Sequence, residues 1–186
     1  MDTKIAERVE LWRENVTEPD LRQELEALVA DGNEEALNDA FYRDLSFGTA
    51  GLRGVLGVGT NRMNVHVIAQ ATQGVADYLN AHYDNPTIAI ARDSRLKGED
   101  FQRVAASVLA ANGVHVYLYP RIEPVPTLSF AVRHLHTSAG IVLTASHNPA
   151  QYNGYKVYND NGGQIANEAA DEISAAIAKT PVFGGP

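Results

Sequence analysis

Hydroxyl, imidazole and amide side chains follow a short apolar run in the second half of the chain. The glycine-bounded run 140–143 predicts a buried strand. The residues that follow it are Thr144, Ser146, His147, Asn148 and Pro149. The proline has no backbone donor and disfavours helix at the residue before it, so the strand should end in a shaped loop. Open α/β sheets carry their chemistry in such loops at the carboxyl ends of strands. We therefore expect a site at the rim of a sheet.

Ser146 is the candidate nucleophile of this loop, and a serine hydroxyl reacts only with help. A dyad with His147 is not expected, because neighbouring side chains in an extended loop usually diverge. The Gly-x-Ser-x-Gly elbow of many serine hydrolases is also missing. If Ser146 instead carries a phosphoryl group, that group bears about -1.5 to -2 charges and needs cations and donors around it. Lys156, His147, Arg53 and backbone amides could supply them.

Two of these cations lie far from Ser146 in sequence. Residues 154–158 alternate like a strand, and a hairpin would bring Lys156 back toward Ser146. Arg53 lies in the glycine-rich segment 47–54 and offers a planar fork suited to phosphate. A flexible connector with a solvated arginine fits that segment equally well. Lys156 could likewise be a strand lysine in a salt bridge.

Four polar residues of the two predicted loops have a structural interpretation beside a functional one. Arg92 and Asp93 follow the predicted strand 87–91, and we favour a structural ion pair that braces this loop over direct substrate contact. His147 could hold loop backbone instead of moving protons. Asn148 is expected to fix the loop geometry.

These segments resemble the α-D-phosphohexomutases, the phosphoglucomutase and phosphomannomutase group. Residues 144–149, followed by Tyr-Asn-Gly-Tyr-Lys at 152–156, are similar to the family's active-site serine loop. Residues 48–54 resemble its Gly-x-x-Gly-x-Arg-Gly signature, and residues 91–95 resemble its Gly-Arg-Asp-x-Arg element, with alanine in place of the first glycine. Residues 59–64 resemble the branch with phosphoglucomutases and phosphopentomutases.

The resemblance implies a phosphoserine at Ser146 that passes its phosphoryl group to a sugar phosphate, converting glucose 1-phosphate into glucose 6-phosphate through glucose 1,6-bisphosphate. It implies Lys156 and His147 as the residues that handle protons. It also implies contacts to phosphate or substrate, and these would come from Arg53, Thr144, Asn148 and Arg92. Mg²⁺ would be bound by the phosphorylated Ser146, the metal ligand of this chain.

The resemblance covers only the first of four family domains. The Asp-Gly-Asp-x-Asp run of the second domain is absent, as are the sugar-selecting and phosphate-binding loops of the third and fourth. We therefore expect this chain to be inactive alone and to work with the remaining mutase domains. The alternative is a non-catalytic scaffold that forms a homodimer through its exposed interdomain surface.

Composition argues against several classes of function. The chain has 186 residues, a formal net charge of -8 and no cysteine. An acidic chain argues against non-specific nucleic-acid binding, and the missing cysteines exclude disulfides. No early apolar segment resembles a signal peptide and no run has membrane-spanning length, so we expect a cytoplasmic protein that does not enter membranes.

The elements that must position the site alternate between strands and helices. Residues 1–45 predict a helical extension, and residues 46–186 predict an α/β/α domain. Strands are expected near 87–91, 114–118 and 140–143, separated by helices, which predicts parallel strands with right-handed crossovers. The strand 154–158 should join antiparallel because its link is short. The expected fold is three-layer α/β/α around a mixed, mainly parallel sheet of about four strands.

Overall fold

A five-stranded mixed sheet forms the centre of the computed structural model, which describes residues 2–49 and 51–184. The strands lie in the order β1-β5-β4-β2-β3. Their bounds are β1 Leu52–Val55, β2 Thr87–Arg92, β3 His115–Leu118, β4 Ala139–Leu143 and β5 Tyr152–Asn159. Strands β2, β3 and β4 pair in parallel, and β5 pairs antiparallel with both β4 and β1. Four strands thus run in one direction, which confirms the predicted fold class.

Strand β1 corrects the expected number of about four strands. It lies in the segment that the sequence left open as a glycine-rich connector, and it pairs with β5 so that Arg53 is opposite Gly154. Gly51, at φ +81°, precedes it. A Cβ on Gly51 would lie only 1.9 Å from the Tyr155 carbonyl oxygen, so glycine is required where the chain joins the sheet. Ala50, in the same segment, lies outside the described residues.

Helices cover both faces of the sheet. Their bounds are α1 Thr3–Asn15, α2 Pro19–Ala30, α3 Glu34–Phe41, α4 Val65–His82, α5 Gly98–Ala111, α6 Val125–Leu135 and α7 Asn167–Ile177. Helices α4, α5 and α7 enclose the larger core with Ile88 and Ile90 of β2. Helix α6 packs on the opposite face against Ala89 and Ala91. The alternation along β2 therefore separates two cores, as the period of two in a strand dictates.

The first three helices pack around Trp12, which is fully buried. Its indole ring meets Phe41 edge-on at 5.8 Å between ring centroids. The predicted helical character of this part of the chain is confirmed, and the buried apolar side chains of the three helices form a cluster separate from the two sheet cores. Arg8 joins them to the rest of the chain by donating to the Phe41 carbonyl and to Thr60 Oγ1. The division at residue 45 into an extension and a domain stays a prediction.

Side-chain caps set the starts of α3 and α4. The Asn33 and Asn64 side chains accept from the backbone N–H of Ala36 and Val67. Helix α7 begins at Asn167, and its N-cap, Ala166, has no side-chain bond. No helix in the described part of the chain is both long and apolar enough to cross a bilayer.

Candidate phosphoserine site

The candidate nucleophile lies where β4 leaves the sheet. All five residues of β4 are buried, and the following Thr144 and Ala145 are also buried. Ser146 is exposed and has a left-handed backbone with φ +57°. The left-handed conformation costs a non-glycine residue about 1–2 kcal/mol. One compensating bond is local, since the Ser146 N–H donates to Thr144 Oγ1 at 3.0 Å. The hydroxyl is thus directed away from the core at the rim of the sheet.

A single guanidinium, that of Arg95, binds the backbone of the serine loop. Arg95 Nη2 donates to the carbonyls of Ser146 (2.8 Å) and Asn148 (2.7 Å). Arg95 Nη1 donates to the carbonyls of Pro149 (3.0 Å) and Tyr152 (2.8 Å). Arg95 ends the segment 91–95, in the loop that follows β2, and the sequence alone predicts no role for it. No local pattern reveals these contacts, because the partners lie more than fifty residues away.

Arg53 reaches the serine loop from β1. Its Nη1 donates to Asn148 Oδ1 at 3.1 Å across 95 positions of sequence. The Arg53 side chain is exposed, so the rest of its fork remains accessible to an anion. The structure thus brings Arg53 to the loop that carries Ser146, and it makes Asn148 the link between the arginine and the loop.

His147 lies closer to Ser146 than expected. Its Nδ1 is 3.3 Å from Ser146 Oγ, and both side chains are exposed. The prediction that the two side chains diverge is wrong, because it assumed an extended loop, whereas the left-handed residue turns the chain. Among the described residues, no carboxylate hydrogen-bonds to the His147 ring, so the pair lacks the third member of a hydrolase triad.

Lys156 lies on β5, opposite Val142 of β4. It is partly buried and makes no ion pair with any described residue, so the salt-bridge alternative finds no partner here. Lys156 follows Gly154 by two residues, so it is a diagonal neighbour of Arg53, at a Cα separation of about 7–8 Å. No hydrogen bond links it to Ser146. The register places it on the same face of the sheet as Arg53.

Arg92 is not part of this site. Its Nε donates to Gln102 Oε1 at 3.1 Å, and its Nη2 pairs with Glu99 at 3.2 Å, both on α5. The expected ion pair with Asp93 is also wrong, because Asp93 pairs with Arg95 at 3.6 Å. Strand parity explains the correction: Arg92 shares its face of β2 with Ile88 and Ile90, which pack toward α5. The sequence shows this parity but not which helix covers that face.

The site holds cations and donors but few acids. Over residues 2–49 and 51–184, no group of three or more His, Asp or Glu side chains could hold a metal ion. Asp93, the carboxylate of the neighbouring loop, accepts the Arg95 backbone N–H and is paired with its guanidinium. These residues fit a metal only if a phosphate oxygen on Ser146 supplies one ligand and other ligands come from outside the described residues.

Comparison with known proteins points to one family. Residues 44–181 match the model of the phosphoglucomutase/phosphomannomutase α/β/α domain I. A phosphoglucomutase from Staphylococcus saprophyticus is 42% identical over 167 residues, which are 90% of this chain and 30% of that protein. A phosphoglucomutase from Staphylococcus aureus is 47% identical over 139 residues, which are 75% of this chain and 25% of that protein. The chain therefore spans less than a third of these relatives.

Solved structures give the same result. A protein from Thermus thermophilus described as a phosphomannomutase superposes with a TM-score of 0.69 at 33% identity, covering 77% of this chain and 32% of the other. A Burkholderia thailandensis protein of the phosphoglucomutase/phosphomannomutase family superposes with a TM-score of 0.61 at 27% identity, covering 75% and 31%.

Proposed function

This chain belongs to the phosphoglucomutase/phosphomannomutase family as a domain I, and we propose that Ser146 is its reversible phosphoryl carrier. The observation that carries the proposal is the exposed Ser146 hydroxyl at the carboxyl end of β4, with Arg53 bonded to its loop at Asn148. A phosphoserine there would face solvent and substrate instead of the core. The free donors of Arg53 would bind its oxygens or those of a sugar phosphate.

The proposed reaction conserves the phosphoryl group. The bond between phosphorus and Ser146 Oγ breaks as a new bond forms to the 6-hydroxyl of glucose 1-phosphate; the hydroxyl proton passes to a base, and the freed Ser146 Oγ takes up a proton. The resulting glucose 1,6-bisphosphate turns over, and its 1-phosphoryl group moves to Ser146 Oγ, which gives up its proton. The freed C1 oxygen takes up a proton, and glucose 6-phosphate is released.

Lys156 and His147 are the proposed proton carriers. His147 lies 3.3 Å from Ser146 Oγ, so it can hold the proton of the free hydroxyl. Lys156 lies on the sheet face that carries Arg53 and has no competing ion pair among the described residues. We assign Lys156 to the substrate hydroxyl. Thr144 supports the loop by accepting the Ser146 N–H.

Mg²⁺ fits this site only through the phosphorylated Ser146. When bound, it would neutralise charge on the transferring phosphoryl group. The other ligands are proposed to come from a further family domain, since Asp93 is already engaged with Arg95.

We propose that this chain alone turns over negligibly. Ser146 and His147 lie on an open rim, and nothing in the described residues covers them or excludes water. The proposed partners are sugar phosphates and the remaining mutase domains, which would close the site. Sustained, multiple-turnover conversion of glucose 1-phosphate into glucose 6-phosphate by the purified chain would refute this point, whereas a slow single transfer to or from Ser146 would not.

The carrier role is tested by intact-mass measurement after incubation with glucose 1,6-bisphosphate. We expect the chain to gain one phosphoryl group, Ser146→Ala to gain none, and Ser94→Ala, a change in the neighbouring loop, to behave like the wild type. Uptake that survives in Ser146→Ala would refute the assignment.

A second candidate is self-association as a non-catalytic module. It is favoured by one observation: Tyr117 and Leu118 are 39% and 47% exposed on β3, an outer strand of the sheet. An exposed edge strand offers unpaired backbone groups to a second copy of the chain. Light scattering coupled to size-exclusion chromatography decides: a dimer that Leu118→Lys dissociates supports this candidate, and a monomer at all concentrations refutes it.

A further inference from the structure

All four carbonyls that Arg95 binds belong to the segment 146–152 of the serine loop. Its two terminal nitrogens carry four N–H groups, and each has a carbonyl partner at 3.0 Å or less. The side chain is only 12% exposed. A guanidinium is planar and presents its donors in a fixed fork, so these bonds fix the carbonyls relative to one another.

The Arg95 side chain is itself held in place. Asp93 Oδ1 accepts the Arg95 backbone N–H at 3.0 Å, and its Oδ2 lies 3.6 Å from Arg95 Nε. The Asp93 N–H donates to the Leu143 carbonyl at the end of β4. On the other side, Asn153 donates to the Leu96 carbonyl at 2.9 Å. The loop after β2 is therefore anchored to both strands that flank the serine loop.

Ser146 needs such support because its backbone is left-handed. A bond to its carbonyl restricts the rotation that would return the residue to an extended conformation. That rotation would also move Oγ relative to His147. Of the described side chains, Arg95 is the one that binds the Ser146 carbonyl.

We propose that Arg95 is the positioning residue of the site: its guanidinium fixes the left-handed conformation of Ser146 and so aims the hydroxyl at the phosphoryl donor. This inference deepens the proposed function and rests on it for its catalytic consequence. Arg95 does not touch the substrate, so its role differs from that of Arg53.

Arg92 provides a matched control. It lies three residues away, is equally shielded with a side chain 14% exposed, and binds α5 instead of the serine loop. Both arginines can be replaced by methionine, which keeps most of the side-chain volume and removes the donors. Comparing the two variants separates a general loss of stability of the chain from a loss of the Ser146 conformation.

The first readout is hydrogen exchange of the whole chain. Three loop amides report the native conformation, and they are Ser146 N–H, Asn148 N–H and Tyr152 N–H, which bond within the loop. We expect them to exchange at least about tenfold faster in Arg95→Met, while amides of β4 and α5 keep their protection. Arg92→Met should leave the loop amides unchanged. Unchanged loop protection in Arg95→Met would overturn the proposal, whatever the phosphoryl chemistry.

The second readout is the rate at which the chain takes a phosphoryl group from glucose 1,6-bisphosphate. We expect Arg95→Met to lower the maximal rate about 100-fold with little change in the half-saturating concentration, because misplacement of a reacting group acts on the reaction step. Arg95→Lys should recover only part of that rate, since an ammonium has three donors. A wild-type rate in Arg95→Met, even with a loosened loop, would overturn the proposal.

The two readouts separate this inference from the proposed function. If the wild type takes up no phosphoryl group, carrier function of the isolated chain fails. Hydrogen exchange still decides whether Arg95 holds Ser146.

Discussion

Replacing Tyr155 by phenylalanine should change stability in opposite directions at neutral and alkaline pH. Tyr155 is fully buried beneath the site, and its hydroxyl lies 3.0 Å from Thr72 Oγ1. Burial raises the pKa of Tyr155 well above its ordinary value near 10. While the Tyr155 hydroxyl is protonated in both states, its hydrogen bond stabilises the fold. At a pH where this tyrosine would ionise in the unfolded chain, keeping it buried and neutral makes folding less favourable.

At neutral pH, the loss of stability in Tyr155→Phe follows from the hydrogen bond that is removed. Tyr155→Phe removes the bond to Thr72, whose Oγ1 keeps a second bond to the Ile68 carbonyl at 2.7 Å. No buried group is left without a partner, so we expect a loss of about 0.5–1.5 kcal/mol in the free energy of unfolding.

The alkaline effect has the opposite sign. A phenol whose pKa is raised by folding contributes stability that is complete below the unfolded pKa and is lost as pH rises above it. At pH 11, one unit above the unfolded pKa, the wild type has lost about 1.4 kcal/mol through Tyr155, and the phenylalanine variant has lost none of it. With a bond of about 1 kcal/mol, the two stabilities cross near pH 10.7.

Urea unfolding of both proteins between pH 7 and pH 11 measures the crossing. The pKa values of Tyr78 and Tyr83 are also raised by partial burial, but both residues are present in either protein and cancel in the difference. Thr72→Val is the control, because it breaks the same bond and keeps the phenol, so its offset from the wild type should not change with pH. A difference between Tyr155→Phe and the wild type that stays constant to pH 11 would refute the reasoning.

Three further changes test the elements that position the site. Gly51→Ala should cost about 1–3 kcal/mol more than Gly113→Ala in urea unfolding, because both glycines have positive φ but only the first would clash with the backbone of β5; equal costs would contradict this. Asn64→Ala should lose about 1–3 kcal/mol, since the side chain caps α4 and donates to two loop carbonyls, and Asn64→Asp should recover the cap alone. Lys97→Met should cost only about 0.2–1 kcal/mol at pH 7, because its pair with Asp20 is half exposed. A hydrogen bond from Lys97 lowers the Asp20 pKa, so that cost should disappear as pH falls below the carboxyl's folded pKa, and a cost that persists at pH 2 would contradict the assignment.

Local patterns in the sequence predicted most of the fold. Apolar residues three and four positions apart, Ile5-Val9-Trp12 and Leu21-Leu25, are the buried faces of α1 and α2. The alternation of apolar strands with helices predicted the parallel set β2, β3 and β4. These features depend on residues within a turn or a strand of one another, so periodicity is enough to reveal them.

Strand β1 could not be predicted in the same way. Its four residues include Gly54, and glycine disfavours a strand when judged locally. The strand forms because β5 offers an edge a hundred residues later, and because glycine permits close packing there: a Cβ on Gly54 would lie 3.1 Å from Leu45. Tertiary pairing thus overrides local propensity.

The residues of the candidate site also fall into those predicted from local sequence and those that depend on long-range contacts. Ser146 and Asn148 were identified from the loop that carries them, and Arg53 from the glycines around it. The choice between Arg92 and Arg95 needed knowledge of which face of β2 packs on α5, together with contacts across more than fifty residues. Only the folded chain shows that Arg95 holds the serine loop.

The central claim is that Ser146 accepts and returns a phosphoryl group. The most direct measurement loads the chain with glucose 1,6-bisphosphate, locates the phosphoryl group by peptide fragmentation, and then adds glucose 1-phosphate to the purified phosphoprotein. The account predicts a single phosphorylated peptide containing Ser146, and loss of that phosphoryl group with the appearance of an equal amount of glucose 1,6-bisphosphate. A phosphoryl group on any other residue, or a phosphoserine that the sugar phosphate leaves unchanged, would contradict it.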